Sequence, residues 1–411
     1  MAQTILNMTA ANAVLKELYT DQVLQMMVYK DNPALAMIPK NTDFGGKYKP
    51  IPIIIGTSQG NSNTFANAQA NQSAANLQSF LLTSTSDYAI AQIDNRTMLS
   101  AKTDKMAFIQ TAKVLVDGAI RAATNRAAFA IFGDGTGTIG QIGTIASGVI
   151  TLSNAQQVTQ FEINQVLKAG TASGGTQHAA AGYVIAVNRS SGTVTVSTTL
   201  GGTAATPTSW TNTNYITTDG DLNAKMSGFQ AWLPSTAPTS SDSFFGVNRS
   251  SDVTRLAGVQ YSGAATGETI EETIISASSL VAREGGAPNK LITNFATYAA
   301  LEKSLGSKVQ YVTESMINNP VIAFRGIKVS GANTTIDVFP DRSCPGYKGF
   351  LLQMDTWALE GLGDVPQILK YGDGLDMLRV YNADSSELRV GSYGNVSCNA
   401  PGWNGQITFS V

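Results

Sequence analysis

The residues that could carry acid–base, metal or nucleotide chemistry are few in this chain and poorly grouped. There is one histidine, His178, in the Gly/Ala-rich run TASGGTQHAAAG, which reads as flexible. Histidine catalysis and His-containing zinc sites therefore lose nearly all their raw material. Cys344 and Cys398 are the two cysteines and lie far apart in sequence. With no export signal ahead of them, they are expected as buried free thiols. Gly135-x-Gly137-x-x-Gly140, in GDGTGTIG, matches a dinucleotide fingerprint in form. That mechanism needs a strand before and a helix after, and here a helical pattern precedes and β-like sequence follows. The run reads as a helix stop and a flexible exit. Glu271 and Glu272 are adjacent acids in a first helical turn, where they complement the helix dipole. Asp373 and Asp376 lack the glycine and distal glutamate of a calcium loop and read as solvated loop acids. No nucleophile, base and orienting group can be assembled from this set. The expectation is a non-enzymatic chain with no metal and no cofactor.

Composition narrows the class further. The 411 residues suffice for two or three compact units, and 43% are hydrophobic. Only 14% are charged, against about 25% in an average soluble domain. The net charge is −2 and no Lys/Arg run exists, so nothing marks a nucleic-acid-binding stripe. Such a surface must be covered by Ser, Thr, Asn, Gln and Gly, or hidden against partners. No apolar run approaches the ~18 residues of a membrane span. MAQTILNMTAANAVLKEL lacks the order of a signal peptide, so synthesis in a cytoplasm is the expectation.

The element that would position everything else is Ala101 to Phe132. Ile109, Val116, Ile120, Ala123, Ala127 and Ile131 fall on one helical face, and Gln110, Lys113, Asp117, Arg121 and Thr124 on the other. At about 1.5 Å per residue such a helix runs roughly 48 Å and serves as a strut. Gly118 lowers helix propensity by roughly 1 kcal/mol, so a close packing contact is expected there. Arg126 points toward the apolar side, which calls for a partner.

Around this strut the chain divides in order. Residues 1–43 read as an arm, with a helix capped by Thr9 (Val14, Leu15, Leu18 apolar), a helical piece near Val23 to Tyr29, and NPALAMIPK as an extended strap. Residues 44–93 read as a long ribbon. FGGKYKPIPIII is an edge strand, since Pro50 and Pro52 cannot sit centrally. SFLLTSTSDYAIAQI is its mate, with Phe80, Leu82, Tyr88 and Ile90 on one face. A ribbon is marginal alone, so it must lie on something, and a neighbouring copy is favoured over its own domain. Residues 138–221 shift to Thr, Ser, Gly, Ala and Val and read as an inserted all-β module, a barrel or open sheet, with a hairpin around Asn188 to Gly192. Thr269 and Glu272 form a capping box for a helix with Ile270, Ile274, Ala277 and Val281 on one face, ended by Gly285-Gly286. Residues 286–370 alternate strand and helix: KLIT, a helix capped by Asn294 with Phe295, Tyr298, Leu301 and Leu305 inward, then KVQYVTE, AFRGIKVSG, TTIDVFP and GFLLQMD as strands. TWALEGLGDVPQI reads as a loop or helical turn. Residues 371–411 supply two strands around Asn382 to Ser385 and a terminal strand, NGQITFSV.

This order of parts resembles the major capsid proteins of tailed bacteriophages, with the Hong Kong 97-type fold. NPALAMIPK looks like the family's strap, the ribbon like its extended loop, and Ala101–Phe132 like its spine helix. GETIEETIISASSLVAREGGAPNKLITN looks like the lead into the axial domain, FRGIKVSG with TTIDVFPDRSCPGYKGFLLQMDTW like the axial sheet, and MLRVYNADSSELRVGSYGNVSCNAP with WNGQITFSV like the closing peripheral strands. The resemblance covers nearly the whole chain except 138–221. It implies an α+β architecture: 1–43 arm, 44–93 extended loop, 94–137 peripheral domain with spine helix, 138–221 inserted barrel-like module, 222–285 peripheral domain continued, 286–370 axial domain, and 371–411 peripheral closing strands. It also implies a shell subunit that forms hexamers and pentamers around packaged double-stranded DNA, held non-specifically. Scaffold, portal and decoration proteins are its expected partners. No long N-terminal extension precedes the arm, which implies a separate scaffold or an already mature chain. Lys47 and Lys49 sit at the ribbon's base, so the Lys–Asn cross-link of some relatives is not carried over.

The candidate assembly contacts are Phe80, Leu82, Tyr88 and Ile90 as an apolar row, and Arg96, Arg121 and Arg126 for ion pairs between subunits. The nearest alternative is an encapsulin-like nanocompartment shell around enzyme cargo. A more distant one is a β-rich adhesin, favoured by the Thr/Ser/Asn content and opposed by the two long helices.

Overall fold

The computed structural model describes residues 26–94, 105–306, 309–316, 319–370 and 377–410. The expected Thr9-capped helix, the acids Asp373 and Asp376, and residues 101–104 of the strut lie outside them.

The described residues form two large sheets, a two-stranded ribbon and a barrel, and they place the long helix at Lys105–Phe132. One sheet is built on the 14-residue strand Ser385–Cys398. Along it pair Trp357–Gly361, Gln367–Ile368, Met377–Arg379 and Thr85–Asp94, and Lys40–Asn41 adds to Trp357–Gly361 in parallel. The long helix packs on this sheet, turning Val116, Ile120, Ala127 and Ile131 inward. The second sheet has seven strands, in the order Val259–Ser262, Gly405–Thr408, Lys348–Leu352, Lys290–Thr293, Thr335–Pro340, Asn319–Ser330 and Gln310–Met316. The helices Ile270–Arg283 and Phe295–Leu305 cover it, burying Ile274, Ala277, Val281 and Leu301 against Leu291, Ile336, Val338 and Ile407. The first of these helices starts with both halves of the Thr269/Glu272 capping box in place.

Residues Thr138 to Thr218 close into a six-stranded barrel with its own core, among it Ile142, Phe161, Leu167, Val184 and Trp210. The hairpin Gln177–Asn188 to Thr193–Ser197 pairs Asn188 with Thr193. His178 lies in this strand, its Nε2 3.2 Å from Asn214 Oδ1, so the second half of its run is β-strand. The GDGTGTIG turn is likewise tight. Gly135 and Gly137 take φ of +86° and +78°, and a Cβ on Gly137 would stand 2.2 Å from the Asp221 carbonyl oxygen.

Several expectations fail for tertiary reasons. PALAM is a buried helix, Pro33–Met37, because proline fits the first helical position, where its missing N–H costs nothing. TWALEG contains the strand Trp357–Gly361, internal to the first sheet. The terminal strand Gly405–Thr408 joins the seven-stranded sheet, parallel to Val259–Ser262, and so leaves the strands it follows in sequence. Phe295 is exposed rather than inward. A Cβ on Gly118 would meet nothing within 4 Å, so no contact among the described residues accounts for this glycine.

Candidate assembly surfaces

SFLLTSTSDYAIAQI is two strands in two sheets. Asn76–Leu82 pairs with Lys49–Gly56 to make the ribbon, and Thr85–Asp94 pairs with Ser385–Cys398. At the break, Asn395 Nδ2 donates to the Thr83 carbonyl (2.9 Å) while Asn395 Oδ1 accepts from the Ser227 N–H (2.8 Å). The buried parity changes across it. Even residues face inward before the break (Phe80, Leu82) and odd ones after it (Ala91, Ile93).

The four apolar candidates therefore separate. Phe80 and Leu82 are fully buried in the chain's own core, Phe80 edge-on to Trp232 at 5.0 Å. They hold the ribbon to its own body and are not assembly contacts. Ile51, Ile53 and Ile55 are buried with them, and Lys49 Nζ donates to Glu360 Oε2 at the base (2.5 Å). The preference for a ribbon reaching over a neighbour is thus corrected for its inner face. Tyr88 and Ile90 do face outward, 51% and 59% exposed, with Tyr88 edge-on to Tyr393 at 5.8 Å.

The outer ribbon face holds residues that the sequence reading missed. Ile54 and Leu77 are directly paired across the strands, Leu81 stands opposite Pro50, and all three side chains are exposed. The tip carries a short helix, Phe65–Ala70, capped by Thr64, with Phe65 83% exposed. The signal was available in the isoleucine run 53–55, since period-two alternation must turn one of three consecutive isoleucines outward.

Of the arginines, Arg96 lies outside the described residues and Arg121 is exposed on the helix. Arg126 finds its partners inside the chain, which corrects its assignment as an inter-subunit pair. Its Nη2 donates to Asp87 Oδ1 (2.7 Å) and to Asp221 Oδ1 (3.0 Å), and its Nε to Asp87 Oδ2 (3.0 Å). Lys225 Nζ completes the group at 3.0 Å from Asp87 and 3.2 Å from Asp221. Burial pushes the Asp87 carboxyl up, but Arg126 and then Lys225 outweigh it and hold it below its ordinary value. Burial works against the Arg126 charge too, and Asp87 and Asp221 reverse this, raising its pKa. The quartet joins strand Thr85–Asp94, the long helix and the barrel's exit segment. Beside it, a cleft of about 240 Å³ between helix and barrel is lined by Phe129, Ile139 and Thr218 as well as Arg126, Asp221 and Lys225.

Among the described residues no group of three or more His, Cys, Asp or Glu is placed to hold a metal ion. Cys344 and Cys398 are buried and free, and burial raises both thiols, Cys398 to about 12. No described helix is long and apolar enough to cross a membrane.

No family model and no curated protein sequence matches the chain. Solved structures do. The cyanophage A-1(L) capsid asymmetric unit aligns over 92% of this chain and 92% of its own, at 12% identity and a TM-score of 0.51. The capsid of a native GTA particle aligns over 92% and 90%, at 10% identity and 0.45. The holo-SrpI encapsulin complex of Synechococcus elongatus PCC 7942 aligns over 97% and 94%, at 6% identity and 0.43. Of these three the cyanophage chain alone exceeds 0.5, and the conclusion about architecture rests on it. At that identity the likeness speaks to fold alone: this α+β chain shares the fold of the cyanophage capsid chain, in keeping with the Hong Kong 97-type order of parts that its sequence resembles.

Proposed function

We propose that the chain is the structural subunit of an icosahedral capsid, assembling with itself into hexamers and pentamers that enclose the double-stranded DNA genome of a tailed phage. The observation that carries this reading is the capsid fold, shared over 92% of the chain. The outer ribbon row fits it. Ile54, Leu77 and Leu81 are apolar and uncovered by their own chain. Burying a leucine or isoleucine side chain stabilises by about 1.5–3 kcal/mol. These three begin half-exposed, so one such contact contributes roughly 2–4 kcal/mol by the same scale. Repeated around a ring, that suits an obligate assembly. Tyr88, Ile90 and Arg121 are further candidates for contact between copies.

In this reading the seven-stranded sheet with its two helices is the axial domain. It then takes in Val259–Arg283 and the last strand, beyond the 286–370 limits of the sequence reading. The sheet on Ser385–Cys398 with the long helix is the peripheral domain. The near-neutral charge suits DNA held by confinement, without counterion release from a basic stripe. Scaffold, portal and decoration proteins are the partners such a shell calls for. The subunit would be made in the host cytoplasm and end in the virion capsid. Negative-stain microscopy of the overexpressed full chain tests the proposal. Closed shells, tubes or five- and six-membered rings are expected. A small monodisperse monomer at high concentration refutes it, and particles filled with protein in place of DNA refute the genome part.

A further inference from the structure

Phe245 has a φ of +47°, in the left-handed region that a residue with a Cβ adopts only at a cost. Gly246 follows at +86°. Phe244 and Val247 exchange N–H to carbonyl bonds, each 3.0 Å, so 244–247 is a closed hairpin with two residues at its turn. Two positive φ values at such a turn suit Asn–Gly, and here a phenylalanine holds the first place. Strain of this kind persists only where the surroundings over-determine it. They do so through Arg249, which is 6% exposed. Its Nε and Nη2 donate to Asp242 (2.8 and 3.0 Å) and its Nη1 to the Ala231 carbonyl (2.7 Å). Its guanidinium lies 4.2 Å over the Phe244 ring.

The strained turn is also where the ribbon is tied. Leu81 stands opposite Pro50, and its N–H leaves the ribbon to donate to the Phe245 carbonyl (2.9 Å). The other ribbon strand shifts register between Ile54 and Gly56. There the Ile55 carbonyl accepts from Arg255 Nη1, on the short helix Val253–Ala257. The segment 242–255 thus holds both strands of the ribbon. It also covers the buried Phe80, whose ring is edge-on to Trp232 at 5.0 Å and to Phe244 at 6.0 Å.

We propose that the segment 242–255 is a spring-loaded clasp for the ribbon: closing it on Leu81 forces Phe245 into the left-handed region, and opening it relaxes that residue and frees the strand Asn76–Leu82 while the two large sheets stay folded. The Arg249 bonds and the ring contacts hold the clasp shut. The strain at Phe245 offsets part of that hold, so the ribbon opens at lower cost than the body beneath it. This holds for the single chain and does not rest on the shell reading.

The test is hydrogen exchange of the full chain and its variants, read on peptides by mass spectrometry. Phe245→Ala and Phe245→Gly both remove the ring. Alanine keeps the Cβ that makes a φ of +47° costly, and glycine does not. Residues 76–82 should therefore exchange about fivefold more slowly in the glycine variant than in the alanine variant. The helix Ile270–Arg283 should exchange alike in both. Arg249→Met removes the lock and should speed exchange of 76–82 by about tenfold or more, with that helix unchanged. Should the Arg249 variant not fold, the alanine and glycine pair carries the test alone. Equal exchange of 76–82 in that pair overturns the proposal, as does a difference that the helix Ile270–Arg283 shares. So does a folded Arg249→Met chain in which 76–82 exchanges at the native rate.

Discussion

The charge quartet offers the sharpest test of how the barrel is held. Arg126→Met removes the guanidinium that bridges Asp87 and Asp221 but keeps an apolar stem. Lys225 then faces two carboxylates alone, each side chain less than one-fifth exposed. Breaking a buried ion pair by removing one partner costs about 3–5 kcal/mol. The Arg126 side chain is 31% exposed, so solvent screening discounts the cost to about 2–3 kcal/mol. The pH dependence gives a second handle. Asp87 is depressed in the fold, so its contribution is present above the unfolded value of 3.8 and is lost as the pH falls toward the lower folded value. The cost of Arg126→Met should thus be largest near pH 7 and shrink progressively below pH 3.8. Urea unfolding of native and variant chains, with hydrogen exchange of residues 221–227, reads both effects. Asp87→Asn combined with Arg126→Met should cost less than the sum of the single changes, by at least about 1 kcal/mol of coupling. An unchanged midpoint at pH 7, strictly additive single changes, or a cost that persists undiminished at low pH would each refute the electrostatic account.

Three further outcomes follow from the surfaces. Phe80→Ala opens a cavity beside Trp232 and Phe244 and should destabilise the chain by about 3–5 kcal/mol in chemical denaturation. Leu77→Asp, on the exposed outer row, should leave the near-ultraviolet circular dichroism unchanged and abolish particles in sedimentation velocity. Gly118→Ala puts its methyl group into open space and should raise the stability of the unassembled chain by about 0.5–1 kcal/mol. If the same change blocks assembly, another copy comes close at that point.

Much of the local structure is legible in the residues alone. The Thr269 cap with Glu272 and the Asn294 cap specify helix starts because their side chains satisfy donors one turn away. The hairpin at Asn188–Thr193 is legible because alternation on both sides fixes its register. The ribbon was readable as an edge pair from Pro50 and Pro52, but its outer row was not singled out, since alternation does not say which face the body covers. The assembly arginines were less legible still. Arg126 was placed correctly on the inner side of its helix, yet its partners lie 39 and 95 residues away.

By itself the sequence determined the scarcity of catalytic raw material, the low charge, the strut helix, its capped companions and the order in which the parts occur. These follow from composition and from interactions within a turn or a hairpin. Only the tertiary structure decided which faces are covered. It split one apparent strand at Thr83, where a side chain 312 residues away takes the carbonyl. It made PALAM a buried helix capped by Asp341, and it carried the last strand into the seven-stranded sheet. The physical reason is the same in each case. Periodicity tells which side chains share a face, but the free energy of that face depends on atoms that the chain brings there from hundreds of residues away.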